Sequence, residues 1–222
     1  MTAAAATRQQ SQSLLFNLPL ELRHRIYEYY LSFTRDDFAD SLRPTHVFLD
    51  ADVPHTTPLP SLMMTCKCAY TELAPVVHTT AAVRVHRPGA RNERRIGFAA
   101  HGVLQFHRLR RLVLIVDLDY AYWNAWLDFF ATITTRVHNL EHLTIDWAPR
   151  TLAHVTKGWE ARRDEKKEDT FFDLLYGVSG LQTLSFYGQI PERWAKRLQQ
   201  WKTDVTVKQF RDRWWMEPGL EW

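Results

Sequence analysis

The spacings in this 222-residue chain that invite chemistry are two pairs, Cys66 with Cys68 and His138 with His142. Either pair could contribute to a metal site if its ligand atoms converged on one point. Cys66-Lys67-Cys68 falls in an apparent helix, where residues two apart diverge by roughly 200°. The thiols therefore read as structural and reduced. His138 and His142 would share a helical face, but Asn139 and the strand pattern after it end the helix. Asp117 and Asp119 follow a predicted strand, at the carboxyl edge where α/β sheets often place sites. No His, Lys or Gly-rich turn accompanies them. G-x-S-x-G, H-E-x-x-H, P-loop and G-x-G-x-x-G patterns are absent, which removes support for the hydrolase, zinc-protease and nucleotide-binding classes. The chain reads as a non-enzyme, with no catalytic residue, cofactor or metal expected.

Charge is unevenly placed. Arg84, Arg87, Arg91, Arg94, Arg95, Arg108, Arg110 and Arg111 face one acid, Glu93, a segment of net +7 in a chain of net +3. Such a patch either binds a polyanion, nucleic acid included, with steep salt dependence, or is a solvated loop. The longest apolar run, Leu112 to Val116, is far too short to span a bilayer. No membrane partner is expected. Residues 1–13 lack the apolar centre of a secretory signal and read as a disordered tail. With two cysteines in an apparent helix, the expected location is reducing, cytoplasmic or nuclear.

The elements that position these residues follow from periodicity. Pro19 suits the first turn of a helix, and Leu18, Leu22, Ile26, Tyr29 and Phe33 form one stripe at spacings of three and four. Arg23, His24, Arg25 and Glu28 take the opposite face. Tyr29, Tyr30, Leu31 and Phe33 make the far end apolar, so that end is expected to pack in its own domain, leaving Leu18, Pro19 and Leu22 open. Prolines 44, 54, 58 and 60 mark a turn-rich stretch with a short strand expected at 46–50. A second helix is expected from a cap at Ser61 through Cys66, Tyr70, Leu73 and Val77, kinked at Pro75. Residues 81–86 alternate as a half-buried strand.

From residue 109 a motif recurs: LRRLVLIVD (109–117), LEHLTIDW (140–147) and LQTLSFYG (181–188). Each carries a leucine with hydrophobes at +3 and +5: Leu109, Leu112, Leu114; Leu140, Leu143, Ile145; Leu181, Leu184, Phe186. The spacing predicts a corner leucine and two inward strand residues per copy. Helical stripes separate the copies. Trp123, Trp126, Leu127, Phe130, Ile133 and Val137 form one, and Trp194, Leu198 and Trp201 another. Residues 160–169 read as an exposed insertion, with Thr170 and Asp173 a capping box for the next helix. Residues 204–210 supply a last strand, and Trp159, Trp214 and Trp215 have no assigned place. Strands alternating with helices imply a mainly parallel sheet. Alternation also predicts an outward surface, with Val113, Thr144 and Ser185 in one row and Ile115, Asp146 and Tyr187 in the next. Trp147 lies nearby, and together they form an expected target surface.

Two stretches carry a resemblance. LLFNLPLELRHRIYEYYL (14–31) resembles the opening of an F-box, and LPSLMMTCKCAYTELAPVVHTTAAVRV (59–85) resembles the second half of the F-box-like domain common in fungal proteins: a leucine-rich helix with a cysteine, a tyrosine, a Glu-x-x-Pro step and a short strand. Residues 34–58 then read as an inserted loop. The fold class expected is α/β. F-box-like helices (14–80) lead into a short, irregular, leucine-rich-repeat-like β/α solenoid (81–222). The resemblance implies a protein-interaction adaptor, of the kind that serves as substrate receptor in a ubiquitin ligase complex. Leu18, Pro19, Leu22 and Ile26 would dock a Skp1-like partner, and the repeats would present a target. The alternatives are a stand-alone interaction module, in which the same helix caps the solenoid, and polyanion binding through the basic segment.

Overall fold

A computed structural model describes residues 13–31, 59–86, 97–101, 104–116, 123–147, 159–188, 190–201 and 204–214. The expected strand at 46–50, the inserted loop at 34–58, Asp117, Asp119, Trp215 and four of the arginines (87, 91, 94 and 95) lie outside the described residues.

Five helices and six strands alternate through most of the described chain. In order they are α1 (Leu20–Leu31), α2 (Lys67–Val77), β1 (Thr80–His86), β2 (Gly97–His101), β3 (Arg111–Val116), α3 (Trp123–Arg136), β4 (His142–Trp147), α4 (Trp159–Tyr176), β5 (Thr183–Tyr187), α5 (Glu192–Gln199) and β6 (Thr206–Phe210). Short 3-10 turns precede α2 (Ser61–Met64) and β3 (Phe106–Arg108). The strands form one sheet in the order β2-β1-β3-β4-β5-β6. β2 pairs antiparallel with β1; the other neighbours are parallel. The chain is therefore α/β with a five-stranded parallel sheet and one antiparallel edge.

The register aligns the three motif copies residue for residue. Leu112 pairs with Leu143 and Leu143 with Leu184; Leu114 pairs with Ile145 and Ile145 with Phe186. β1 joins the same rows through Ala81 and Val83. These residues are all buried, as are the corner leucines Leu109, Leu140 and Leu181. Each turn is tied to the next by one device. The carbonyl of Thr79 accepts from the amides of Arg110 and Arg111, that of Arg110 from Glu141 and His142, and that of Glu141 from Gln182 and Thr183. Buried backbone groups need such partners, and the repeat supplies them at the same place in every copy.

The helices α3, α4 and α5 cover the face lined by these rows. Trp126, Phe130 and Ile133 of α3, Phe171, Phe172 and Leu175 of α4, and Trp194 and Leu198 of α5 belong to one buried core with the strands. Aromatic rings knit it together: Trp147 to Trp194 at 4.8 Å, Phe130 to Phe171 at 5.1 Å and Phe171 to Trp194 at 5.2 Å between centroids. A smaller cluster of Tyr27, Met63, Leu73 and Val77 sits apart from it, under α1.

Three local expectations are corrected. Residues 160–169, expected as an exposed insertion ahead of the helix, form the first turns of α4, because EARRDEKKED is rich in strong helix formers. Thr170 accordingly lies inside that helix and bonds back to the Lys166 carbonyl at 3.0 Å rather than capping. In the second helical segment Ser61 starts only a 3-10 turn. The cap of α2 is Cys66, in extended conformation, whose Sγ accepts from the Ala69 amide at 3.4 Å. Pro75 is tolerated near the end of α2.

Candidate partner-binding surface

α1 is held by its polar face. One carboxylate, Glu72 on α2, gathers four donors: Arg23 through Nε at 3.0 Å and a second guanidinium nitrogen at 2.8 Å, the Tyr27 hydroxyl at 2.8 Å and the Cys68 thiol at 3.4 Å. Arg23 also donates to the Leu18 carbonyl at 2.6 Å, fixing the turn before the helix. Charge-assisted, two-pronged contacts of this kind are the stronger ones. The Arg23 guanidinium, and then the Tyr27 and Cys68 hydrogen bonds, hold the Glu72 carboxyl below its usual range, against the opposing effect of burial. Burial, with the Glu72 contact, pushes the Tyr27 phenol and the Cys68 thiol up. The Tyr30 hydroxyl adds a tie to Ser61 Oγ at 2.8 Å.

This arrangement turns the apolar stripe outward. Tyr27 is 3% exposed, whereas Leu22 is 48%, Ile26 41% and Tyr29 86% exposed. Pro19 is exposed and Leu18 half-buried. The far end of the helix, expected to pack in its own domain, does so only in part. Tyr29 is exposed, Tyr30 is 43% exposed with its hydroxyl tied to Ser61, and Leu31 is half-buried, because the Arg23-Tyr27 face has a better partner than the stripe does. Phe33 lies outside the described residues. The sequence places Arg23 on the face opposite the apolar stripe and assigns no partner to Glu72. The available signal was a Glu-x-x-Pro step at the right spacing, but nothing local paired it with a residue 49 positions earlier.

The expected target surface does not stay open. Ile115 and Asp146 are 0% exposed, and Val113, Ser185 and Tyr187 are also buried; only Thr144 is partly accessible. The C-terminal segment accounts for Asp146. Its carboxylate accepts from Arg213 Nε at 2.6 Å and from the Trp214 amide at 2.8 Å, and Trp214 is buried there. Tyr187 stacks on Phe210 at 4.4 Å. Gly188, at φ +88°, bonds through its amide to the Asp212 carbonyl, and a Cβ there would collide with the Trp147 carbonyl oxygen. Trp147 itself belongs to the other face. It pairs with Val116 and packs on Trp123 and Trp194, as a period of two from Leu143 and Ile145 requires.

The described arginines of the basic segment fall at two ends of the sheet. Arg111 begins β3 and Arg108 and Arg110 lie just before it, all exposed. Arg84 is four residues along β1, paired with Ile115 and half-buried, a separation of roughly 13 Å at strand rise. The expected single patch is thus divided among the described members. His138 precedes β4 and His142 begins it, so they do not share a helix. Cys66 caps α2 and Cys68 donates to Glu72; both are half-buried free thiols. Among the described residues no cluster of three or more His, Cys, Asp or Glu is arranged to hold a metal, and no helix is long and apolar enough to cross a membrane.

No protein-family model, curated protein or solved structure matches this chain. The functional reading therefore rests on the two surfaces that the geometry leaves available: the outward stripe of α1 and the polar edge where the strands begin.

Proposed function

We propose that this chain is a protein-interaction adaptor of the F-box-like type, with α1 and α2 as the docking region and the sheet with α3–α5 as a short leucine-rich-repeat-like solenoid. The partner is a Skp1-like protein, the setting a ubiquitin ligase complex, and the location cytoplasmic or nuclear. One observation carries the reading: α1 is anchored through Arg23 and Tyr27 while Leu22 and Ile26 stay exposed. A helix that capped the solenoid would bury that stripe instead. The two stretches that resemble an F-box also meet through Glu72, whose partners come from residues 23 and 27. Leu18, Pro19, Leu22 and Ile26 then form an amphipathic helix edge suited to a partner's groove.

Burying each of Leu22 and Ile26 contributes about 1.5–3 kcal/mol, enough for the pair to decide affinity once association costs are met. Gel filtration with a purified Skp1-type adaptor tests this. A co-eluting complex is expected, and Leu22→Asp is expected to abolish it while leaving the melting temperature within a degree or two of the parent, on the order of a surface substitution. No complex with the parent chain sinks the adaptor reading. Unfolding by Leu22→Asp would favour a capping role.

A further inference from the structure

We propose that the amino edge of the parallel sheet is a second binding site, a groove that takes an extended acidic peptide segment of about four residues. The proposal stands apart from docking through α1. The groove has a volume of about 700 Å³ and is built by the turns that enter successive strands: His78 before β1, His107, Arg108 and Arg110 before β3, His138 and Glu141 before β4.

Its shape follows from the repeat. Thr79, Arg110, Glu141 and Gln182 occupy equivalent positions in neighbouring turns, each bonded by its carbonyl to the start of the next strand. Adjacent strands lie about 4.8 Å apart, so the row is about 14 Å long, the span of about four extended residues.

Its charge is cationic on balance, with Arg108 and Arg110 against one carboxylate. The carbonyls of the row are already occupied by amides of the next strand, and the His107 carbonyl by Asn139 Nδ2 at 3.0 Å. What faces outward is mainly guanidinium and imidazole. Glu141 is the one carboxylate among the lining residues, and it lies 3.7 Å from Arg110. A guanidinium has five N–H donors, so that contact leaves Arg110 with donors to spare, and Arg108 is exposed beside it. His78 approaches the Tyr70 hydroxyl through Nε2 at 3.4 Å, while its buried Nδ1 has no hydrogen-bond partner among the described residues. Burial, and then the nearby Arg108, hold its proton affinity below the usual imidazole value. An anion beside Arg108 would relieve part of that repulsion. A peptide fits better than nucleic acid. The lining holds one non-imidazole aromatic, Tyr70, already against the His78 ring at 6.1 Å, and so offers no run of stacking platforms.

Fluorescence anisotropy on the full chain tests the site with three labelled probes: a tetraglutamate peptide, a tetraserine peptide and a short oligothymidylate. The tetraglutamate probe is expected to bind saturably, more weakly as salt rises, and the tetraserine probe not to bind. Arg108→Ser with Arg110→Ser is expected to weaken binding by about tenfold or more, since each arginine's charged hydrogen bonds contribute on that scale. Both side chains are exposed, so an unchanged melting curve is expected alongside. Leu22→Asp is expected to leave this affinity unchanged even if it destroys adaptor docking, which separates the two surfaces. Absence of saturable tetraglutamate binding overturns the proposal, as does equal affinity in the double arginine variant. Tighter binding of oligothymidylate than of tetraglutamate also overturns it, in favour of a nucleic-acid surface. Where the double variant fails to fold, Arg108→Gln alone is measured, with several-fold weakening expected and no change overturning the site.

Discussion

The sheet and the α1–α2 pair solve the same problem by different means. In the sheet, leucines and aromatics in register meet helices whose stripes are equally apolar, and stability comes from area removed from water. In the helical pair, α1 is fastened by one carboxylate with an arginine, a tyrosine and a thiol around it, and only Tyr27 and half-buried Leu31 add apolar contact. The first kind of contact consumes apolar surface. The second leaves it over. A helix held through its polar face leaves its apolar face exposed, and this is why the proposed docking surface lies on the weaker attachment.

The contrast can be broken at three points. Phe171 is fully buried among Trp123, Trp126, Phe130, Trp147 and Trp194. Phe171→Ala is expected to cost about 3–5 kcal/mol in chemical denaturation, the range for truncating a core aromatic. A cost under 1 kcal/mol would mean that the aromatic core is not the main support of the sheet. Asp146→Ala comes next. It removes the buried carboxylate that accepts from Arg213 and the Trp214 amide and is expected to cost about 3 kcal/mol. The C-terminal segment should then become protease-sensitive, and a resistant C-terminus would show that other contacts hold it.

Glu72→Gln is the smallest of the three, about 1–2 kcal/mol for the loss of charge-assisted bonds. It should speed amide exchange in α1 while leaving β3–β5 protected. Uniform exchange through the whole chain would show that the two regions are not separable. The same lock should respond to pH. The folded Glu72 carboxyl titrates below its ordinary value of 4.5, so its contribution is present above about pH 4.5 and is lost as pH falls through the lowered folded value. The folded Tyr27 phenol holds its proton beyond its ordinary value of 10. Its contribution is complete below that pH and declines as pH rises toward the folded value. Protection of the α1 amides, taken relative to the intrinsic exchange rate at each pH, is therefore expected to fall at both extremes, and protection independent of pH would remove Glu72 as the anchor.

Much of the sheet was legible because its signal is local. The spacing of Leu109, Leu112 and Leu114, repeated at 140 and 181, needs only a period of two and a corner residue, and the register bears it out. α3 was legible for the same reason, with Trp123, Trp126, Phe130 and Ile133 on one stripe. The start of α4 was missed because the charged stretch 160–169 reads as an exposed insertion, although Glu, Lys and Arg favour helix. A buried carboxylate and an exposed one on it then find arginines one helix away, Glu168 with Arg193 and Asp169 with Arg197. The polar edge groove was not legible at all, since its residues come from four turns that only pairing brings together.

The sequence by itself determined which residues alternate, which repeat and which helices have an apolar stripe, because periodicity is a property of neighbouring residues. The tertiary structure decided which stripe is used. On α1 the choice went to Arg23 and Tyr27 because Glu72, 49 and 45 residues away, offers a charged acceptor in a partly buried place. On the sheet the outer row was closed because Arg213 and Trp214 reach Asp146 across 67 and 68 residues. A face is buried or left open according to what the rest of the chain brings to it, and no window of local sequence contains that information.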